Sequence, residues 1–558
     1  MDIQSDQLLL ARTYHWEATT PDKVFMTQPI GGGEVRQYTW REAIGEARRM
    51  AAHLRGLNLP AKSKVALLGK NSAHWILTDL AIWMAGHVTV PLYPTLTADS
   101  VRQLLEHSES KLLFVGKLDD WDQMKGGVPQ GMPQISLPLS PPDSGAKWEQ
   151  IAAESEPITD NPQREPQDLA TIVYTSGTTG KPKGVMLNFG AMGLTALELC
   201  KMTNMSPQDR TLSYLPLAHV YERVGVEGLT LNGGGEIFFA ESLHTFVADL
   251  QRARPTVFAS VPRLWLKFQA GVFAKVPPEK LERLLSIPIL SSLVRKKILK
   301  GLGLQDTRLA ICAAAPVPAE VLRWYRRLGL ELLEGYGMSE NCAYSHFAPA
   351  GKGKVGYVGT ANPGVETRIS DEGELLVKSP GMMMGYYKEP GLTTEAITAD
   401  GFLRTGDMGD IDSEGYLRIT GRVKELFKTS KGKYVAPSPI ENQLISHPYI
   451  EQACVIGSGF PQPSGLIMLS EEARALTAGE EGRGKIEDAM GALLKRVNEN
   501  LDHHERLQYL ALVQEEWGID NGMITPTMKI KRAAIEEAYG PHFESWYGAN
   551  APVLWQSA

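Results

Sequence analysis

Residues 174–184 read Tyr-Thr-Ser-Gly-Thr-Thr-Gly-Lys-Pro-Lys-Gly, which places three glycines, four Ser/Thr hydroxyls and two lysines in one short run. Glycine admits positive φ, so successive N–H groups converge on an anion while the hydroxyls add further donors. Two lysines favour a polyphosphate. The run is not a Walker loop, because counting back five from Gly180 lands on Thr175 and Pro182 stands where Ser or Thr is needed. Other glycine runs carry less. Gly351-Lys-Gly-Lys-Val-Gly356 fits G-x-G-x-x-G but lacks a strand–turn–helix context and a ribose-binding acid about 20 residues on. Gly479-Glu-Glu-Gly-Arg-Gly-Lys485 puts two glutamates where phosphate would sit, and Ile486 replaces the hydroxyl. His503-His504 has no metal-ligand spacing nearby, and Asn341 removes Ser339 from a G-x-S-x-G elbow.

A phosphate loop needs a rigid strand behind it. Residues 169–174, Leu-Ala-Thr-Ile-Val-Tyr, supply one. Upstream the text alternates: strands at 65–69, 88–92 and 112–115, helices at 72–86 and 100–107. Such alternation predicts a largely parallel sheet covered by helices. Residues 126–143 hold five prolines and three glycines and read as an exposed loop. Near 410–422 the pattern turns to short strands and turns, and a helix is expected around 485–500. The expected fold is α/β: a large N-terminal domain, 1–421, of parallel-rich sheets layered with helices, and a small, mobile α+β C-terminal domain, 422–558.

The 558 residues are 43% hydrophobic and 22% charged, with a net charge of −7. That is ordinary globular composition, enough for more than one core, and a poor match to non-specific nucleic-acid binding. Four dispersed cysteines, Cys200, Cys312, Cys342 and Cys454, form no CxxC and suit a reducing compartment. The start has no basic n-region, and the most apolar stretch, 75–93, carries Asp79 and His87. A secretory signal or bilayer span is therefore not expected, and the expected location is cytoplasmic, with peripheral contact at the inner face of a membrane.

The 174–184 run resembles the phosphate loop of the adenylate-forming superfamily: acyl-CoA synthetases, firefly luciferase and peptide-synthetase adenylation domains. Six further stretches match in order. Tyr214-Leu-Pro-Leu-Ala-His-Val-Tyr-Glu-Arg223 and Val261-Pro-Arg-Leu-Trp265 resemble the long-chain acyl-CoA synthetase branch. Gly335-Tyr-Gly-Met-Ser-Glu340 resembles the adenine and metal segment, Phe402-Leu-Arg-Thr-Gly-Asp407 the ribose segment, Gly421-Arg-Val-Lys-Glu-Leu-Phe-Lys428 the hinge, and Thr525-Pro-Thr-Met-Lys-Ile-Lys-Arg532 the C-terminal lysine segment. The resemblance implies that Thr175, Ser176, Gly177, Thr178, Thr179, Gly180 and Lys183 face phosphates. It places Ala314, Glu334, Gly335, Tyr336 and Gly337 around adenine and Ser339 near the α-phosphate. Asp407 would accept the ribose hydroxyls, with Arg422 assisting there or at phosphate. Thr178 and Glu340 would hold Mg²⁺, a hard cation suited to oxygen ligands. Lys529 would meet the carboxylate and α-phosphate, with Lys531 as the fallback, while His219, Lys424 and Lys428 complete the catalytic set. One departure stands out: relatives commonly carry Ser-Gly-Gly/Ala-Ala-Pro where this chain has Cys312-Ala-Ala-Ala-Pro316.

The implied activity is ATP-dependent ligation of a long-chain fatty acid to CoA through acyl-AMP. Relatives that activate amino acids place an Asp where Val220-Tyr221 stand here, which favours an unaminated acid. The alternatives are adenylation with transfer to a carrier protein and, more distantly, phosphotransfer. The implied partners are a long-chain fatty acid, ATP, Mg²⁺ and CoA, with no nucleic acid and an open oligomeric state. Residues 281–304 mix Leu, Ile and Val with Arg295, Lys296, Lys297 and Lys300, and that segment is the expected membrane contact.

Overall fold

The computed structural model describes residues 3–176, 182–525 and 529–556, with the backbone alone described at Ser176. The alternation from residue 65 onward forms as read. Strands Lys64–Leu68, Val88–Leu92 and Leu112–Val115 are parallel neighbours in an eight-stranded sheet. Helices Ala73–Met84 and Ala98–Ser108 connect them. Ser72 accepts the Trp75 N–H and Thr97 that of Ser100, so each helix opens on a hydroxyl that satisfies a first-turn donor. The first of these helices is buried along its whole length, as its apolar circumference requires.

Strand β1 (Leu169–Ser176) joins the sheet parallel to Val88–Leu92, then pairs antiparallel with β2 (Pro182–Asn188). Alternation alone predicts parallel strands here. The connection is far too short for a crossover, so only a hairpin closes it. The stretch read as loop, 126–143, contains strand Gln134–Ser136, parallel to Leu112–Val115, with Ile135 and Ser136 buried. Its flanking prolines, Pro133 and Pro138, lie just outside the paired residues, where a missing N–H removes no ladder bond.

A second sheet carries β3 (Leu309–Cys312) and β4 (Leu332–Tyr336) parallel to each other and to Val257–Ser260. A third, antiparallel, carries β5 (Leu403–Ile411) and β6 (Leu417–Arg422), registered so that Asp407 opposes Arg422. Beyond β6 come a single 3₁₀ turn, Val423–Glu425, and a small hairpin, Phe427–Lys428 against Tyr434–Val435. A mixed four-stranded sheet follows, built from Ile450–Ile456, Ser464–Leu469, Leu510–Val513 and Val553–Trp555. Its strands are buried on both faces. Val455, Ile467 and Leu512 pack with Ile486 and Met490 of helix Glu480–Glu499, while neighbours Cys454, Leu466 and Ala511 pack with Trp517, Tyr539 and Trp546. Alternate residues of a strand point to opposite faces, so one short sheet serves two cores. No helix among the described residues is long and apolar enough to cross a membrane.

Candidate active site

The β1–β2 hairpin brings Thr175 opposite Lys183 and Ser176 opposite Pro182, so both ends of the phosphate-type loop are clamped by ladder bonds. Gly177, Thr178, Thr179 and Gly180, and the side chain of Ser176, lie outside the described residues. Behind β1 a buried charge knot fixes the hairpin. Arg223 donates from Nη1 to Thr171 Oγ1 at 2.7 Å, pairs with Asp79, and meets Glu227 at 3.3 Å. Removing one member of such a set leaves an uncompensated buried charge, at a cost of about 3–5 kcal/mol. Glu222, the preceding residue, accepts Ser213 Oγ–H and the Tyr214 N–H, each at 2.9 Å, and burial pushes its carboxyl up to about 8. Both charged residues of the 214–223 motif thus hold scaffold in place, and His219 is the member that faces the cleft.

One side of the site is built where β3 and β4 end and where the middle of β5 sets Asp407 opposite Arg422. After β3, Ala314 sits at φ +72°, a left-handed conformation that glycine adopts at far less cost than alanine. The expected adenine wall therefore carries a strained residue at Ala314, next to the Cys312-Ala313 pair that departs from the family pattern. Glu334 accepts the Val317 N–H at 3.2 Å and so braces that turn from beneath; burial raises its carboxyl to about 7. Gly337 is required by space: a Cβ there would lie 2.5 Å from the carbonyl carbon of Ala343. That close approach begins a tight return in which the Met338 N–H meets Asn341 Oδ1 and Cys342 and Ala343 both take positive φ. Ser339 and Glu340 ride on the 3₁₀ turn inside it.

Tyr336, at the end of β4, donates its hydroxyl proton to Asp407 Oδ2 at 2.6 Å. Arg422 Nε meets Asp407 Oδ1 at 2.9 Å, and the carboxylate beside it raises the guanidinium pKa. Asp407 is thus held from both sides, with a lone pair left on each oxygen. Nearby, Glu340 Oε1 accepts the Tyr386 hydroxyl proton at 2.8 Å, and Lys183 Nζ lies 5.1 Å from the Tyr386 ring centre. Tyr386 carries no signal in the sequence. It joins the phosphate hairpin to the Glu340 turn because Gly385–Tyr386 pairs as an edge strand with β2.

Lys529 enters the same cleft from the far end of the chain. Thr525 and Lys529 bond each other twice, Thr525 N–H to the Lys529 carbonyl at 2.8 Å and Lys529 N–H to Thr525 Oγ1 at 3.1 Å, which closes a tight loop. Water still reaches the lysine, yet protein surrounds it at longer range, and this desolvation, then Arg422, lowers its pKa. Asp407, Glu425 and Glu340 oppose that shift through their charge, so all three lie within electrostatic reach. His219 is held neutral, its pKa brought down to about 4 by burial and then by Lys529. Its Nδ1 accepts the Tyr221 N–H at 3.1 Å.

Hydrogen bonds thus tie Tyr336 and Arg422 to Asp407, Glu340 is tied to Tyr386 beside Lys183, and Lys529 lies within electrostatic reach of Arg422, Asp407, Glu340 and His219. Lys424 and Lys428 lie outside this set. Lys424 is exposed on the 3₁₀ turn after β6, and Lys428 stacks over the Tyr434 ring at 5.6 Å. Among the described residues neither is hydrogen-bonded or ion-paired to a cleft group. For a divalent cation the donor set fits Mg²⁺. Glu340 keeps one carboxylate oxygen beyond its bond to Tyr386, and Mg²⁺ ordinarily takes one or two carboxylates with phosphate oxygens and water. Among the described residues no cluster of three or more His, Cys, Asp or Glu side chains forms a cage of its own.

Comparison with known proteins agrees in extent and order. Residues 14–387 match the model of the AMP-binding enzyme family, and residues 425–551 match that of the AMP-binding enzyme C-terminal domain. Long-chain-fatty-acid–CoA ligase FadD15 of Mycobacterium tuberculosis is 30% identical over 96% of this chain and 96% of that protein. Peroxisomal long chain acyl-CoA synthetase 6 of Arabidopsis thaliana is 30% identical over 93% of this chain and 83% of that one. Among solved structures, ATP-bound MatB from Rhodopseudomonas palustris superposes with a TM-score of 0.73 at 25% identity, covering 97% of this chain and 99% of that chain. The adenylation domain of a carboxylate reductase from Mycobacterium chelonae shares the fold, with a TM-score of 0.81 at 20% identity, covering 97% and 91%.

Proposed function

The chain belongs to the AMP-binding enzyme family, and from that premise we propose that it is an ATP-dependent long-chain fatty acid–CoA ligase working through acyl-AMP. The observation that carries this reading is Lys529. A cation from the last tenth of the chain lies within electrostatic reach of Asp407, Glu340 and His219. In the first half-reaction a carboxylate oxygen attacks the α-phosphorus of ATP, the P–O bond to the β-phosphate breaks, and pyrophosphate leaves. Lys529 offsets the negative charge that builds on the transferring group, and a preformed cation in a partly dry cleft does so without reorganisation. Asp407 accepts the ribose hydroxyls on its remaining lone pairs, while Tyr336 and Arg422 keep its two oxygens oriented. Tyr336 offers its ring to adenine below the Ala314 turn. Glu340 and Thr178 would hold Mg²⁺, which supplies charge neutralisation on the departing phosphates.

In the second half-reaction the CoA thiol sulfur attacks the acyl carbon, AMP leaves with the C–O bond, and the thiol proton is released. A cleft filled by Lys529 serves this step poorly. We assign the pivot to Arg422–Glu425, where one 3₁₀ turn joins the domain of residues 1–421 to the domain of residues 422–558. Rotation there withdraws Lys529 and turns the face bearing Lys428 toward the nucleotide.

Long-chain specificity is supported by the two ligase relatives and by the absence of an acidic side chain at Val220-Tyr221, where an ammonium group would otherwise be met. Pyrophosphate release across acetate, octanoate and palmitate, with and without CoA, tests the reading. Palmitate-dependent pyrophosphate with CoA-dependent AMP release is expected. ADP as product rejects adenylation, and AMP release indifferent to CoA rejects the thioester step.

A further inference from the structure

The segment 261–265 has no task in the mechanism derived so far. It opens helix Pro262–Lys275, with Pro262 at the start, where a missing N–H costs nothing. That turn is rigid. Pro262 and Trp265 are buried, and the Trp265 carbonyl accepts the Tyr325 hydroxyl proton at 2.7 Å. Arg263, between them, stays half-exposed, and its guanidinium pairs with Glu451. Among the described residues this is the only ion pair that joins residues 1–421 to anything beyond the turn Val423–Glu425.

Glu451 lies on Ile450–Ile456, the edge strand of the C-terminal sheet. Ile450 pairs with Leu469 and Gln452 with Met468, so Glu451 is the extra residue of a bulge. A bulge at a sheet edge turns a side chain out of the strand's alternation, here toward Arg263. The same strand holds the Lys529 loop near its other end. Arg532, three residues after Lys529, donates from Nη1 to the Val455 carbonyl at 2.6 Å and grips the two oxygens of Glu441 at 2.8 and 3.0 Å. Glu441 in turn accepts the Val455 N–H at 2.6 Å. From Glu451 to Val455 is four residues of extended chain, about 13 Å. A hydrogen-bonded strand, rather than a loop, therefore links the partner of Arg263 to the anchor of Lys529.

We propose that Arg263 and Glu451 are positioning residues, whose ion pair latches the C-terminal domain onto helix Pro262–Lys275 and keeps Lys529 in the cleft during adenylation. The inference rests on the two-step ligase reading, which needs Lys529 in one step and away in the next. A deeply buried tie would block the second step. Here the two side chains are 50% and 31% exposed, and such a pair shifts an equilibrium by about five-fold at most. That biases the domains and still lets them part. The latch is also seated on a core rather than a loop, since Trp265 packs with Phe258 and Phe268.

The test reads domain orientation and chemistry in parallel on the full-length protein. Spin labels at Glu154→Cys and Lys495→Cys, both exposed and one in each domain, report the interdomain distance by pulsed electron resonance. A Cys200→Ser background suits them, because the other three cysteines are buried. With α,β-methylene-ATP bound, the distance of the present structure should be the main population in the wild type. Glu451→Gln should deplete it about five-fold and Arg263→Glu, which sets like charges together, about ten-fold. Arg263→Glu combined with Glu451→Arg should restore it. The kcat of pyrophosphate release should fall and recover by the same factors, with KM for ATP and palmitate and the melting temperature unchanged. Conversion of supplied acyl-AMP to acyl-CoA should stay at or above the wild-type rate. Wild-type distances and rates in both single variants overturn the latch. So does equal slowing of both half-reactions, or a charge exchange that restores nothing, since either marks a merely structural pair. A wild type that releases no pyrophosphate rejects the ligase reading instead, and the distances alone then decide the latch.

Discussion

The two sides of the cleft are built in opposite ways. The wall that holds Asp407 is set by ladder bonds, by the register of β5 on β6, and by Tyr336 and Arg422 gripping the carboxylate at 2.6 and 2.9 Å. Lys529 is held by two backbone-anchored hydrogen bonds to Thr525, is open to water, and feels Asp407, Glu340 and Arg422 through their charge. Rigid groups suit a ligand that stays bound through both half-reactions. A group needed once is better carried on an element that can leave. The small sheet behind Lys529 has two cores of its own, so the loop can travel as part of a rigid body rather than by unfolding.

The sharpest way to break this contrast is Lys529→Ala. Pyrophosphate release should fall by about 10³-fold, the scale on which one preorganised charge acts, while supplied acyl-AMP is still converted to acyl-CoA. Equal loss in both half-reactions would show that the lysine belongs to the wall. Asp407→Asn should lower both half-reactions, by about 10²-fold, because a neutral amide weakens the Arg422 and Tyr336 grip and loses acceptor capacity. A defect confined to one step would count against a permanent wall. Lys424→Pro fixes φ near −65° and removes a donor at the pivot. Adenylation should survive, and CoA-dependent AMP release should slow by at least about ten-fold as the swing is blocked. Wild-type rates for both steps would move the pivot elsewhere.

Two smaller effects sharpen the comparison. Desolvation by the surrounding protein, then Arg422, lowers the Lys529 pKa, so adenylation should lose its cation, and its rate, at a pH below the ordinary lysine value of 10.5. A pH–rate profile of pyrophosphate release measures this, and Lys529→Arg should carry the alkaline limb beyond the measurable range. On the wall, Ala314→Gly should raise stability by up to about 1 kcal/mol, because glycine holds φ +72° without the Cβ clash. Thermal unfolding checks the sign.

Much of the local structure was legible. Helix Ala73–Met84 falls within the stretch 72–86 read as helical, and β1 delivers the chain into the glycine-rich run as its apolar pattern implies. The errors share one cause. Gln134–Ser136 was hidden among prolines because its partner, Leu112–Val115, is distant in sequence, and strand pairing rather than propensity made it a strand. Tyr386 was invisible for the same reason: two residues at a sheet edge carry no periodicity, yet pairing with β2 aims the hydroxyl at Glu340. Residues 281–304 form two helices rather than one continuous stretch. Pro288 separates them, and their inner apolar residues went to an ordinary core.

By itself the sequence determined what depends on neighbouring residues: where glycines and hydroxyls concentrate, where helices are capped, where proline stops them, and which ordered segments resemble the family. Those are matters of local φ/ψ preference and periodicity, and they travel with the residues. Only the tertiary structure decided that Tyr336 meets Asp407 across 71 positions, that Arg223 and Glu222 serve the scaffold, and that Lys529 comes within electrostatic reach of Asp407, Glu340 and His219. Such meetings depend on strand register and on how separate cores pack, and a change of one residue in register would turn Asp407 to the opposite face of its sheet.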